Sequence, residues 1–110
     1  MLYFVRMESQ EATDPRDPKE LMNRIEKSVF PSLETLQKLE KDRKILGGGV
    51  IAGRRAICCV VEANSNEEVA QIFHDLPIWG FCRTEIHPLE TFEGRLNLDR
   101  KSLSKIKEQY

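Results

Sequence analysis

The sequence predicts an α+β fold, in which a four-stranded antiparallel sheet carries two helices on one of its faces. Three observations lead there. Short segments near residues 2–7, 50–52, 55–62 and 81–87 have strand-like β-branched and aromatic content, and two longer segments between them repeat apolar residues at three and four positions. Their order is strand, helix, strand, strand, helix, strand. With 110 residues, 40% apolar and 32% charged, the chain suffices for one domain with a single core. Its 17 basic and 18 acidic residues leave a net charge of −1, which offers no electrostatic footprint for nucleic acid.

Each element has a local cause. Leu2 to Met7 alternate, with Leu2, Phe4 and Arg6 on one face and Tyr3, Val5 and Met7 on the other. A polar loop containing Asp14-Pro15 and Asp17-Pro18 follows. Asp17 as N-cap, Pro18 in the first helical position and Glu20 three residues on predict a helix start. Leu21, Ile25, Val29, Leu33, Leu36 and Leu39 continue it as one apolar stripe, and Pro31 predicts a kink or break. Gly47-Gly48-Gly49 is expected to end the helix and turn the chain into a short strand, Val50 to Ala52. Gly53-Arg54 makes a tight connection to a strand over Arg55 to Glu62, apolar on both faces and therefore central.

Ser65 and Glu68 form a second capping box, followed by the stripe Val69, Ile72, Phe73, Leu76. The last strand is expected over Phe81 to His87, stopped by Pro88. Residues 1–92 then form the domain and 93–110 a polar tail. A short helix from Asp99 would align Leu103, Ile106 and Tyr110 on one stripe, suited to docking on another subunit.

Cys58, Cys59 and Cys82 have no C-x-x-C spacing, so they read as buried free thiols and no metal site is expected. The N-terminus lacks a leader pattern and no apolar run reaches membrane-spanning length, so a reducing cytoplasmic location without membrane contact is expected.

The element order is the split βαβ pattern of ferredoxin-like folds, with spatial strand order 4-1-3-2 and both helices on one face. MLYFVRM, VIAGRRAICCVVEANSNEEV and the LPIWGF and EIHPLETF segments resemble the muconolactone Δ-isomerase family, a likeness covering residues 1–7 and about 36–92. The resemblance implies a dimeric α+β barrel in which two such units pack the helix-free faces of their sheets together, as a homodimer or higher homo-oligomer. It also implies a small-molecule substrate carrying a carboxylate, and an isomerase that works without a cofactor.

The candidate site follows from strand parity. Arg83, Glu85 and His87 share one face of the last strand, and the first strand lies beside it, so Arg6 meets that face. Two cations against one carboxylate suit an anionic ligand, each close Arg–Glu contact being worth about 4 kcal/mol before desolvation. Glu85 is the candidate base and His87 a second acid/base. Arg6 and Arg83 would hold a carboxylate or enolate oxygen, and Phe4, Trp79 and Phe81 would form an apolar wall. The competing reading of the same residues is an Arg–Glu network across a subunit interface. Beside the isomerase stand two further possibilities, a biosynthetic cyclase or cofactor-free oxygenase on the same barrel, and a non-catalytic ligand-binding or oligomeric module.

Overall fold

The computed structural model covers all 110 residues and begins in strand β1, Leu2–Ser9. Tyr3, Val5 and Met7 are fully buried on one face of β1, as the alternation requires. A 3₁₀ turn at Glu11–Thr13 leads to helix α1, Pro18–Arg24, where the Asp17 carboxylate accepts from the Lys19 N–H.

Pro31 does not break the helix. The chain widens into a π-helical segment, Ile25–Val29, and continues without interruption as α2, Phe30–Lys41. Pro31 has no N–H to give the preceding turn and its ring crowds that turn's carbonyls, so a wider turn just before it keeps the helix continuous. Nor do the three glycines end it. Arg43, with φ of 60°, closes the helix while the Lys44 N–H bonds to the Leu39 carbonyl at 2.9 Å.

The glycines instead lie inside strand β2, Ile45–Val50, where the pairing with β3, Ala56–Glu62, shifts between Ile45 and Gly47. Gly48 has φ of 128°, and a Cβ there would overlap the Cys58 carbonyl and the Cys59 Cα. The short strand expected at Val50 to Ala52 is thus displaced toward the N-terminus, and the turn falls at Gly53, with φ of 80°.

Helix α3, Asn66–His74, is capped at Ser65, whose hydroxyl accepts from the Glu68 N–H at 3.1 Å, while the Glu68 carboxylate reaches one residue past the cap to accept from the Asn64 N–H at 2.8 Å. A 3₁₀ turn, Trp79–Phe81, precedes strand β4, Cys82–Leu89. β4 runs through Pro88, which an edge strand tolerates because one row of its N–H groups has no partner.

The sheet is antiparallel in order β2-β3-β1-β4, the predicted 4-1-3-2. One face of β1 and β3 packs with Val69 and Phe73 of α3, with Leu36 and Leu39 of α2 against them, so both helical layers cover the same side. Buried Ser32 accepts from the Ile78 N–H at 3.1 Å and ties α2 to the loop before β4. Only 12 residues are buried, which leaves the other sheet face and much of α1 uncovered.

The C-terminal helix α4 spans Phe92–Gln109, capped by the Thr91 hydroxyl, and so begins seven residues before the expected Asp99. Every residue of it is exposed. It stretches the molecule to 68 × 30 × 25 Å and its radius of gyration to 18.7 Å. A compact domain of this length would have about 13 Å. No helix is long and apolar enough to cross a membrane.

Candidate active site

Strand parity brings Phe4, Arg6, Glu85, His87 and Arg83 onto the helix-free face. Phe4 lies opposite His87 and Arg6 opposite Glu85 in the β1–β4 register. The Phe4 and His87 rings stack at 6.4 Å. Glu85 stands between Arg83 and His87 at 3.7 and 3.6 Å, distances too long for strong hydrogen bonds. The Arg6 guanidinium donates not to Glu85 but to Glu8, at 3.1 Å, and Glu8 also accepts from Arg54. Those contacts, the Arg54 hydrogen bond foremost, hold the Glu8 carboxyl below the usual range. The face is open, with the side chains of Glu85 and His87 44% and 59% exposed.

Trp79 and Phe81 do not belong to that face. Both sit in the 3₁₀ turn ahead of β4, where strand alternation has not yet begun. Trp79 packs beside His74 and against the core on the helix side. Phe81 lines a different feature.

That feature is a cavity of about 340 Å³ between the helices and the sheet. Leu21, Ile25, Val29 and Leu33 wall it from the helical side, with Ile57 and Phe81 across from them. The π-helical segment shapes this wall, since it contains Ile25 and Val29. Arg24, Arg54, Arg55 and Asp14 supply the charged lining. Asp14 accepts two hydrogen bonds from Arg55, at 2.9 and 2.7 Å. That pairing, with the Arg24 field adding to it, holds the Asp14 carboxyl below its ordinary value.

Arg24 differs from the other two arginines. Its guanidinium lies 3.8 Å over the centre of the Phe81 ring and donates to the Thr13 carbonyl, but pairs with no carboxylate. Most of its five donors remain free for a ligand. A half-buried cation on an aromatic floor beside an apolar cavity suits a ring that carries a carboxylate. A smaller groove of about 180 Å³ beside Leu36 and Cys59 has no cation in its lining.

The sequence shows Leu21, Ile25, Val29 and Leu33 as a stripe and Phe81 as an apolar wall, but not that they enclose one cavity with Arg24, Arg54, Arg55 and Asp14. Arg24 did leave a signal: it sits three residues after Leu21 and beside Ile25, at the edge of the apolar stripe. The thiols stand apart from this chemistry. Burial pushes Cys59 up to about 11, which makes it a poor nucleophile, and Cys82 is raised for the same reason. No group of three His, Cys, Asp or Glu side chains is placed to hold a metal ion.

The sequence model of a family described as muconolactone delta-isomerase matches residues 1–94. Curated protein sequences give no match. Among solved structures, the 5-chloro-2-hydroxyhydroquinone dehydrochlorinase of Burkholderia phenoliruptrix AC1100, in complex with 2,5-dihydroxybenzoquinone, superposes with a TM-score of 0.62 at 21% identity. The similarity covers 84% of this chain and 97% of that one. A muconolactone isomerase superposes with a TM-score of 0.60 at 22% identity, covering 83% of this chain and 90% of the other. At these identities the superpositions establish the shared fold.

Proposed function

This chain belongs to the muconolactone delta-isomerase family, and from that premise we propose that it is a cofactor-free enzyme moving a proton on a small carboxylated lactone or related ring compound. The observation that carries the reading is Arg24, a cation without an acid partner, on Phe81 in the lining of the 340 Å³ cavity. A volume near the lower end of ligand pockets, about 300 to 1,000 Å³, suits a single ring. The similar dehydrochlorinase, solved with 2,5-dihydroxybenzoquinone, supports a ligand of that size class.

In this reading the ring lies among Ile25, Val29 and Phe81, and its carboxylate takes the free donors of Arg24. Isomerisation removes a proton from one ring carbon and returns one to another, with the electron pair passing through an enolate. Asp14 is the carboxylate that lines the cavity and is ionised at neutral pH. A substrate carboxylate that draws Arg55 away raises the Asp14 pKa toward its ordinary value and makes it a better base.

A second reading keeps the chemistry on the open sheet face and is favoured by the register that sets Glu85 opposite Arg6. There Glu85 is the base, His87 a second acid/base, Arg6 and Arg83 hold the carboxylate and Phe4 gives an apolar wall. This reading needs a homodimer in which the helix-free faces of two copies close over the site. The sparse burial within one chain supports such a partner.

Incubation with muconolactone in deuterated water, followed by NMR of the ring protons, tests both. The cavity reading expects isomerisation with ring deuteration, lost in Asp14→Asn and Arg24→Met and kept in Glu85→Gln. Loss in Glu85→Gln alone moves the chemistry to the sheet face. No exchange in the unaltered protein rejects this substrate.

A further inference from the structure

Helix α4 buries none of its residues against the rest of the chain. All 18 of its residues are exposed, although Phe92, Leu96, Leu103, Ile106 and Tyr110 fall on one stripe. Their spacings of four, seven, three and four follow a heptad seam, whose one remaining position is Asp99. Leu98 lies off this seam. An isolated helix of this length is marginal in water, so the stripe calls for a partner.

The charges of α4 and the residues leading into it are segregated along its length. Residues 90–99 carry Glu90, Glu93 and Asp99 against Arg95, and residues 100–110 carry Arg100, Lys101, Lys105 and Lys107 against Glu108. The helix is therefore complementary to itself reversed. We propose that α4 pairs antiparallel with α4 of a second copy of this chain, about a two-fold axis near residue 101.

Reversal sets Phe92 against the partner copy's residue 110, Leu96 against its residue 106 and Asp99 against its residue 103. Flanking the seam, Glu93 meets the copy's residue 107, a lysine, and symmetry makes this pair twice, against a single like-charge contact where Arg100 faces its own copy near the axis. Asp99 enters with its charge already met by Arg95, whose Nε stands 3.1 Å away. Parallel pairing fails on the same residues: it sets Asp99 on Asp99 and Arg95 beside Arg100, like charges in both places. The seam spans about 27 Å. It lies outside both the cavity and the sheet face, so it adds a contact that neither reading of the site requires.

Disulfide trapping tests the pairing. Ser102 flanks the seam beside the axis, whereas Lys101 points away from it. In the full-length protein under mild oxidation, proteolysis and mass spectrometry should find the peptide bearing Ser102→Cys linked to its own copy, at least about fivefold more than for Lys101→Cys. Glu93→Lys added to Ser102→Cys should lower that yield severalfold, and Lys107→Glu added in turn should restore it. Equal trapping at both positions, trapping onto the body of a neighbour, or no restoration overturns the proposal.

Discussion

The guanidinium carbon of Arg24 lies over the ring of Phe81, 3.8 Å from its centre, across a separation of 57 positions in the sequence. The two residues join the first helix to the turn before β4 on the lining of the cavity. Arg54 and Arg55 nearby are spoken for by Glu8 and Asp14, which leaves Arg24 as the free cation.

Arg24→Met keeps a long apolar side chain on Phe81 and removes the charge. Affinity for a carboxylated ring compound, read by calorimetry, should fall between about tenfold and a hundredfold, the range of one charge-assisted hydrogen bond. Thermal stability should change by less than about 1 kcal/mol, since the methionine keeps the half-buried packing on Phe81 and no carboxylate partner is left unpaired.

Val29→Phe places a ring in the cavity. The open space accepts it, so the stability cost should stay under about 1.5 kcal/mol while ligand binding disappears. Unchanged affinity in this variant would show that the cavity is not where the ligand sits.

Gly48→Ala should destabilise by more than about 1 kcal/mol in urea unfolding, because its Cβ would strike backbone of Cys58 and Cys59 at a positive φ. Gly49→Ala, with open space around it, is the control and should cost less.

Stability should fall at both ends of the pH scale. Glu8, Asp14 and Glu68 are each held below their ordinary values, first by hydrogen bonds from Arg54, Arg55 and Lys44 respectively. Their contribution is whole above the unfolded carboxylate range, about pH 4, and is lost as pH falls through the depressed folded values. Cys59 works in the opposite sense: its folded value, pushed up to about 11, makes its contribution whole below about pH 8.5 and lost as pH rises toward 11. Thermal melts from pH 2 to 11 should show a plateau with two falling limbs, the acid limb weakened by salt.

Much of the sheet was legible because side chains declare their faces. Tyr3, Val5 and Met7 alternate with Phe4 and Arg6, and the register between β1 and β4 follows once the strand order is known. The caps at Asp17 and Ser65 were legible because each is a local hydrogen bond. Gly47 to Gly49 misled because residues without side chains show no alternation, and only contact with β3 makes them a strand. Pro31 did not bring the expected break because a π-helical turn absorbs what a regular helix cannot. Trp79 and Phe81 carry strand-like residue types up to the edge of β4, yet the 3₁₀ turn resets their direction. The cavity was hidden for a broader reason: its lining comes from residues far apart in sequence, which no local pattern joins.

The measurement that bears most directly on the cavity is a set of amide and side-chain NMR shifts during titration with a carboxylated lactone. The account predicts that the changes concentrate at Arg24, Ile25, Val29 and Phe81, with Phe4, Glu85 and His87 unmoved. Changes concentrated at Phe4, Arg6, Glu85 and His87 instead would contradict it.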